Sequence, residues 1–268
     1  MNITVLANRD LASNFALNQL LPALVGDHKV HVFLSSKVGG STATPYELQQ
    51  LKFFEQSLFS ELLFPALCDS SVGARLHSFD TLARVTGIRP IKELNRINSE
   101  EGLACLAATA PDLVLSIRYG GILRDKAIAI PPMGVLNLHS GLLPDYRGVM
   151  ATFYAMLNGE SEIGMTLHTI LDAGIDTGDI IGSTRIKLDA GHSYLWNVLQ
   201  LYPAGVDLML ASVENISTGE RLTGSSQPEG GNYYSFPTAE QLQRFGEMGF
   251  RLYDVEESIE IAKQYLEP

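Results

Sequence analysis

Residues 1–35 read MNITVLANRDLASNFALNQLLPALVGDHKVHVFLS. Within them, residues 2–7 read as a buried first strand, with Ile3 and Val5 on one face. The polar segment Asn8–Ser13 reads as a loop. Leu17, Leu20, Leu21 and Leu24 then recur at i, i+3, i+4 and i+7, which predicts a helix, with Pro22 inside it predicting a kink or a break. Val30, Val32 and Leu34 alternate, so His31–Ser35 lies in a second strand. Strand, loop, helix and strand in that order are the start of an open α/β sheet.

The same signals recur downstream. Residues 112–117 and 134–138 read as buried strands, and 163–170 and 179–186 as further ones. Helical patterns cover 45–64, 98–109, 150–158 and about 193–217, the last interrupted or started near Pro203. The expected fold is α/β, an open, mostly parallel twisted sheet flanked by helices, over residues 1–218. Gly39–Thr44 is a loop rich in Gly, Ser and Thr. Residues 219–237, with Gly224, Pro228, Gly230, Gly231 and Pro237, form a turn-rich linker. Short helices near 238–248 and 255–266 complete a small C-terminal extension, 219–268.

Composition narrows the function. Apolar residues make up 46% and charged residues 18% of the 268, which places the chain among proteins that bury a core rather than disordered ones. The net charge of −11 disfavours a nucleic-acid partner, because phosphate binding is driven by clustered Lys and Arg. The longest apolar stretch, Leu103–Ile117, is broken by Pro111 and Asp112, so no membrane span is expected. Cys68 and Cys105 form no C-x-x-C pair and read as small buried hydrophobes in a reducing, cytoplasmic setting. No spacing of His28, His31 or His77 with acids or cysteines suggests a metal.

The chemistry lies in residues 134–182, GVLNLHSGLLPDYRGVMATFYAMLNGESEIGMTLHTILDAGIDTGDIIG. Asn137 and His139 stand at i and i+2 at the end of an apolar strand, so both side chains point to one face. Strand ends are where open α/β sheets place their sites. Ser140–Gly148, with two glycines and a proline, is a shaped loop, and Asp172 and Asp176 lie in a second Gly-rich loop. A charged His and an Asn amide can donate to a developing oxyanion, and an Asp can hold the His charged and accept the proton of an attacking amine. Alone, an N-x-H at a strand end is more often a structural pair than a catalytic one.

The order of motifs adds to this. Asn137-Leu138-His139, Leu142-Leu143-Pro144, Tyr146-Arg147-Gly148, Thr166-Leu167-His168 and Asp176-Thr177-Gly178 follow one another along the chain. That series resembles the folate-dependent formyltransferase family, which includes glycinamide ribonucleotide, methionyl-tRNA and amino-sugar formyltransferases, and the resemblance covers roughly residues 1–219. It implies a catalytic triad of Asn137, His139 and Asp176, with Asp172 as the alternative acid. It implies that N10-formyltetrahydrofolate is the formyl donor, held by the backbone of Arg118, Tyr119, Gly121, Ile122 and Leu123 and by the loop of Leu171, Asp172, Ala173 and Ile175. The acceptor side would be formed by Asn8, Arg9, Asp10, Ser140 and Tyr146, and no metal is called for.

Departures from the family pattern narrow the acceptor. The serine of the common H-[P/G]-S-L-L-P is displaced by one, at Ser140. The loop Asn8–Asn14 lacks the glycines that cradle a substrate phosphate in the purine-pathway enzyme, which counts against glycinamide ribonucleotide. A short tail and acidic charge count against tRNA, and a catalytic pattern starting at residue 2 counts against the formyltetrahydrofolate hydrolases. The acceptor expected is a small-molecule primary amine, first a nucleotide-linked amino sugar, next an amino acid or hydroxylamine. Hydrolysis with water as acceptor is a second reading, and a folate- or nucleotide-binding module without catalysis is a third. A dinucleotide reductase ranks last, since the first loop lacks G-x-G-x-x-G. Monomer and homodimer both stay open.

Other residues read more plainly. His168 alternates with Leu167 on a buried strand and reads as a satisfied core histidine. His192 reads as a cap or surface residue, and Arg147 as a residue that holds its loop. Gln227, Gly230-Gly231, Tyr233-Tyr234 and Phe236-Pro237 in the tail offer stacking surfaces for a sugar or base, with core packing against the sheet the plainer reading for the two tyrosines.

Overall fold

A computed structural model of the chain describes residues 1–36, 45–67, 73–88 and 90–267; the expected loop Gly39–Thr44 and Cys68 lie outside the described residues. The strands are β1 (Asn2–Asn8), β2 (Lys29–Ser35), β3 (Lys92–Glu93), β4 (Leu113–Ile117), β5 (Val135–His139), β6 (Arg147–Gly148), β7 (Glu162–Thr169), β8 (Ile180–Lys187) and β9 (Tyr233–Tyr234). Seven of them form one sheet in the order β3-β2-β1-β4-β5-β7-β8. Pairing is parallel from β3 through β5 and antiparallel at β5–β7 and β7–β8, which makes the sheet mixed and mostly parallel.

Helices α1 (Leu11–Leu24), α2 (Tyr46–Lys52), α3 (Phe79–Val85), α4 (Glu100–Ala107), α5 (Asp125–Ile128), α6 (Ala151–Leu157), α7 (Tyr194–Ser217), α8 (Ala239–Glu247) and α9 (Val255–Lys263) surround the sheet. A wider π-helical stretch, Phe53–Leu63, continues α2. Residues Leu11–Ser13 belong to α1 and not to a loop, because the Asp10 carboxylate accepts from Ser13 N–H at 2.7 Å and caps the helix. Pro22 neither breaks nor ends α1, since it stands two residues from the last helical position and removes one backbone bond. Pro203 is likewise absorbed inside α7, which starts at its Ser193 cap.

The two sheet faces differ. Ile3, Val5 and Ala7 of β1 and Leu136 and Leu138 of β5 face the larger core, shared with Leu17, Leu20 and Leu21 of α1 and Val198, Val206 and Met209 of α7. Each such side chain buried in full contributes roughly 1.5–3 kcal/mol. The opposite face carries a smaller core: Leu6, Phe33, Val114 and Val135 against Leu106 and Ala127 of the short helices α4 and α5. Of β5, this smaller cluster takes Val135 alone. The next two residues on that face, at period two, are Asn137 and His139.

The tail adds buried residues to the larger core. Leu242, Phe245, Leu252, Ile261 and Tyr265 belong to it, and the Tyr265 hydroxyl donates to Asn14 Oδ1 at 2.6 Å. Cys105 is exposed, contrary to expectation. The buried residues of α4 are Gly102 and Leu106, and Cys105 is turned a helical step of about 100° away from Leu106. No described helix is long and apolar enough to cross a membrane.

Candidate active site

The antiparallel pairing of β5 with β7 builds the site. Asn137 stands opposite His168, and His139 opposite Thr166. The Asn137 Nδ2 lies 3.0 Å from His168 Nε2. On the other ring edge, His168 Nδ1–H donates to the Thr169 carbonyl at 2.8 Å. The neutral ring therefore accepts from Asn137, and a proton on Nε2 turns that edge into a donor toward Asp176 Oδ1, 3.4 Å away. His168 is thus part of the constellation, although it is also a buried histidine with partners, as its sequence context suggests.

Asp176 closes the group. Its Oδ2 lies 3.5 Å from His139 Nδ1 and accepts the Gly148 N–H at 2.8 Å. Its backbone is left-handed, with φ of 55°. Burial pushes its carboxyl up, but the His139 charge, the neighbouring His168 ring and the Gly148 N–H outweigh it, holding the carboxyl down at about 2. Asp176 is therefore ionised at neutral pH. Asp172 is exposed and turned back on its own loop, accepting from Gly174 N–H at 2.7 Å. The other His139 nitrogen, Nε2, donates to the Tyr146 carbonyl at 2.6 Å, so both ring nitrogens are engaged.

The remaining candidates occupy different places. Leu171, Ala173 and Ile175 are exposed on the loop that carries Asp176, with Leu171 at 62% and Ile175 at 37%. Ile122 after β4 is 53% exposed, whereas Leu123 is packed in the smaller core. The Tyr119 hydroxyl donates to the Leu94 carbonyl at 2.5 Å, and a Cβ on Gly121 would press on the Tyr119 ring. Arg118, also left-handed at φ 54°, pairs with Asp10 at 3.0 Å and Glu55 at 3.2 Å. Asn8 is buried, donating to Asp10 Oδ2 and accepting from Ser35 Oγ. Arg9 lies over the Phe79 ring, 5.6 Å from its centroid.

Ser140 and Tyr146 line a cavity of about 200 Å³ with Leu142, Glu160 and Arg185. The Tyr146 hydroxyl donates to Glu160 at 2.7 Å, and its ring belongs to a stack with Tyr234 and Tyr154. Tyr234 is thus packing, while Tyr233 is exposed. Arg147 holds the tail through the Gly230 carbonyl, and His192 stacks on Trp196.

Residues 84–195, which contain Asn137, His139, His168 and Asp176, match the formyl transferase family model. Over that segment the chain is similar to the formyl transferases. A methionyl-tRNA formyltransferase of Kosmotoga olearia is 34% identical over 139 residues, covering 52% of this chain and 44% of the relative. The chain spans about half the length of the curated formyltransferases it matches. Among solved structures, a 4-N formyltransferase from Francisella tularensis superposes with a TM-score of 0.58 at 16% identity, over 91% of this chain and 86% of the other. An N-formyltransferase from Helicobacter canadensis, solved with folinic acid and dTDP-3-aminofucose, superposes at 0.54 and 17% identity, over 95% and 84%. At those identities the likeness is one of formyltransferase fold.

Proposed function

We propose that the chain transfers a formyl group from N10-formyltetrahydrofolate to a primary amine of a small-molecule acceptor. The observation that carries this reading is the convergence of Asn137, His139 and an ionised Asp176 at the open end of β5. The folate fits the surroundings: two loops beside the site expose Ile122, Leu171 and Ile175, apolar surface that a planar ring system would cover. When bound, the folate supplies the activated formyl group.

The side chains divide the remaining work. One Asn137 N–H is held by His168, and the other is left to donate where negative charge develops on an oxygen. His139 faces Asp176 and contributes positive charge to the same spot; its Nε2–H reaches a substrate atom by leaving the Tyr146 carbonyl. Asp176, ionised and buried, takes up the proton lost by the amine as the new C–N bond forms, and that proton passes on to the folate N10 as its bond to the formyl carbon breaks and tetrahydrofolate leaves.

For the acceptor we favour a nucleotide-linked amino sugar. Tyr233 and Phe236 are exposed on the tail, next in sequence to Tyr234 and available to stack on a base or sugar. The Helicobacter canadensis relative was solved with such a ligand. The test measures tetrahydrofolate release from 10-formyltetrahydrofolate with dTDP-3-aminofucose, an amino acid, a hydroxylamine or no amine. Release dependent on the amino sugar is the expected result. Release with no amine means hydrolysis, and no release in any arm overturns the proposal.

A further inference from the structure

We propose that Gln227, in the C-terminal extension, is a positioning residue for Asp176; the inference rests on the formyl-transfer reading given above. Asp176 carries its carboxylate on a left-handed backbone, a conformation that non-glycine residues keep only where the surroundings impose it. Two donors impose it from the tail side. The Gln227 side-chain Nε2 donates to the Asp176 carbonyl and to the Gly178 carbonyl, each at 2.8 Å. Both partners are carbonyls, so the orientation of this amide is unambiguous. The segment runs on alongside the loop, where Ser225 and Ile180 exchange two backbone bonds of 2.9 and 2.8 Å.

A second tie comes from the same tail. Tyr233–Tyr234 pairs with Arg147–Gly148, and Gly148 N–H is the backbone donor to Asp176 Oδ2. The tail therefore grips Asp176 at its backbone directly and at its carboxylate through β6. Gln227 lies outside the matched segment 84–195, so the extension adds a hold on the backbone of the acid to the contacts that segment makes with its carboxylate. Loss of the Gln227 donors frees two carbonyls in a partly buried place and lets the loop drift from His139. A displacement of about 1 Å at a reacting group is enough to cost on the order of 100-fold in turnover.

The test compares Gln227→Met and Gln227→Glu with wild type. Met fills the site without a donor, and Glu keeps the shape of Gln while setting carboxylate oxygens against two carbonyls. With the amine that turns over in the panel, we expect kcat to fall about 10-fold in Gln227→Met and about 100-fold in Gln227→Glu, with acceptor KM within about twofold. A residue that merely filled space would give the reverse order, because Glu resembles Gln more closely. Unchanged kcat in both variants, or that reverse order, overturns the inference. Should wild type turn over no amine, the formyl-transfer reading falls separately. Imidazole ¹H–¹⁵N resonances then decide: Gln227→Met should move those of His139 and His168 and leave that of His31 in place. Unmoved His139 and His168 signals overturn it.

Discussion

Asn137 and His168 stand opposite each other where β7 runs antiparallel to β5, with the amide nitrogen 3.0 Å from the imidazole Nε2. This cross-strand pair spends one of the two Asn137 N–H groups and leaves the other for chemistry. It also places His168 where one side chain touches both Asn137 and Asp176.

The remaining Asn137 N–H is worth the most if it meets an oxyanion. Asn137→Ala should lower kcat by about 10²–10³. The thermal midpoint should stay within a few degrees of wild type, since Asn137 is only half-buried. A kcat within fivefold of wild type would remove Asn137 from the mechanism.

His168 should behave as a positioning residue. His168→Gln keeps an acceptor for Asn137 or a donor toward Asp176, and His168→Leu keeps bulk alone. We expect kcat losses of roughly threefold and 30-fold in that order, with acceptor KM nearly constant. Equal losses in the two variants would show that only volume matters at this position.

Asp176 couples stability to acid pH. Its folded carboxyl sits at about 2 against an ordinary 3.8. A depressed carboxyl stabilises above its unfolded value and loses that contribution as pH falls through 3.8 toward 2. The contribution is on the order of 2 kcal/mol at neutral pH, and about half of it is gone by pH 3. Urea unfolding of wild type and Asp176→Asn at pH 6 and pH 3 reads the difference. The stability gap between the two proteins should change by about 1 kcal/mol in the direction of wild-type loss, and a pH-independent gap would contradict the assignment.

Gly148 has no room for a side chain. Its φ is 97°, and an added Cβ would run into the Tyr234 carbonyl. Gly148→Ala should therefore part β6 from β9 and weaken the N–H bond to Asp176. The expected cost is roughly 2 kcal/mol in urea unfolding, with turnover falling further than global stability explains. Wild-type stability in this variant would mean that the pair yields cheaply.

Arg118 answers a different question, because its guanidinium is committed to Asp10 and Glu55. Burial pushes the Glu55 carboxyl up, Arg118 pulls it down, and Asp10 adds to the rise. Arg118→Met leaves two buried carboxylates facing each other and should cost about 3–5 kcal/mol. Folate affinity, measured by calorimetry with 5-formyltetrahydrofolate, should change less than threefold, because the guanidinium is already committed to Asp10 and Glu55. A large affinity loss in folded protein would instead make the guanidinium a ligand.

Much of this was legible before any coordinates. The alternation in β2, the shared face of Ile3 and Val5 in β1, the apolar runs of β4 and β5 and the leucine spacing of α1 all reflect burial, and burial leaves its mark in the sequence. The two-residue strands β3, β6 and β9 and the short helices α3 and α5 are too brief to show a period, so the sequence carries no signal for them. His168 carried a faint signal: Thr166 and His168 are polar against apolar Met165 and Leu167, a polar face on a buried strand. Nothing in that pattern says which polar face it meets.

The sequence by itself determined the fold class and the pairing of Asn137 with His139, because both depend on short-range periodicity along a single element. It also marked the Gly-rich loop that holds two candidate acids. The motif order already ranked Asp176 ahead of Asp172; tertiary structure alone decided that His168 joins Asp176 and His139, and that Gln227, 51 residues beyond Asp176, holds the loop. These outcomes depend on strand register and on a contact between distant segments. A one-residue change in register would turn His168 to the other face, and periodicity within one strand carries no information about its register with the next.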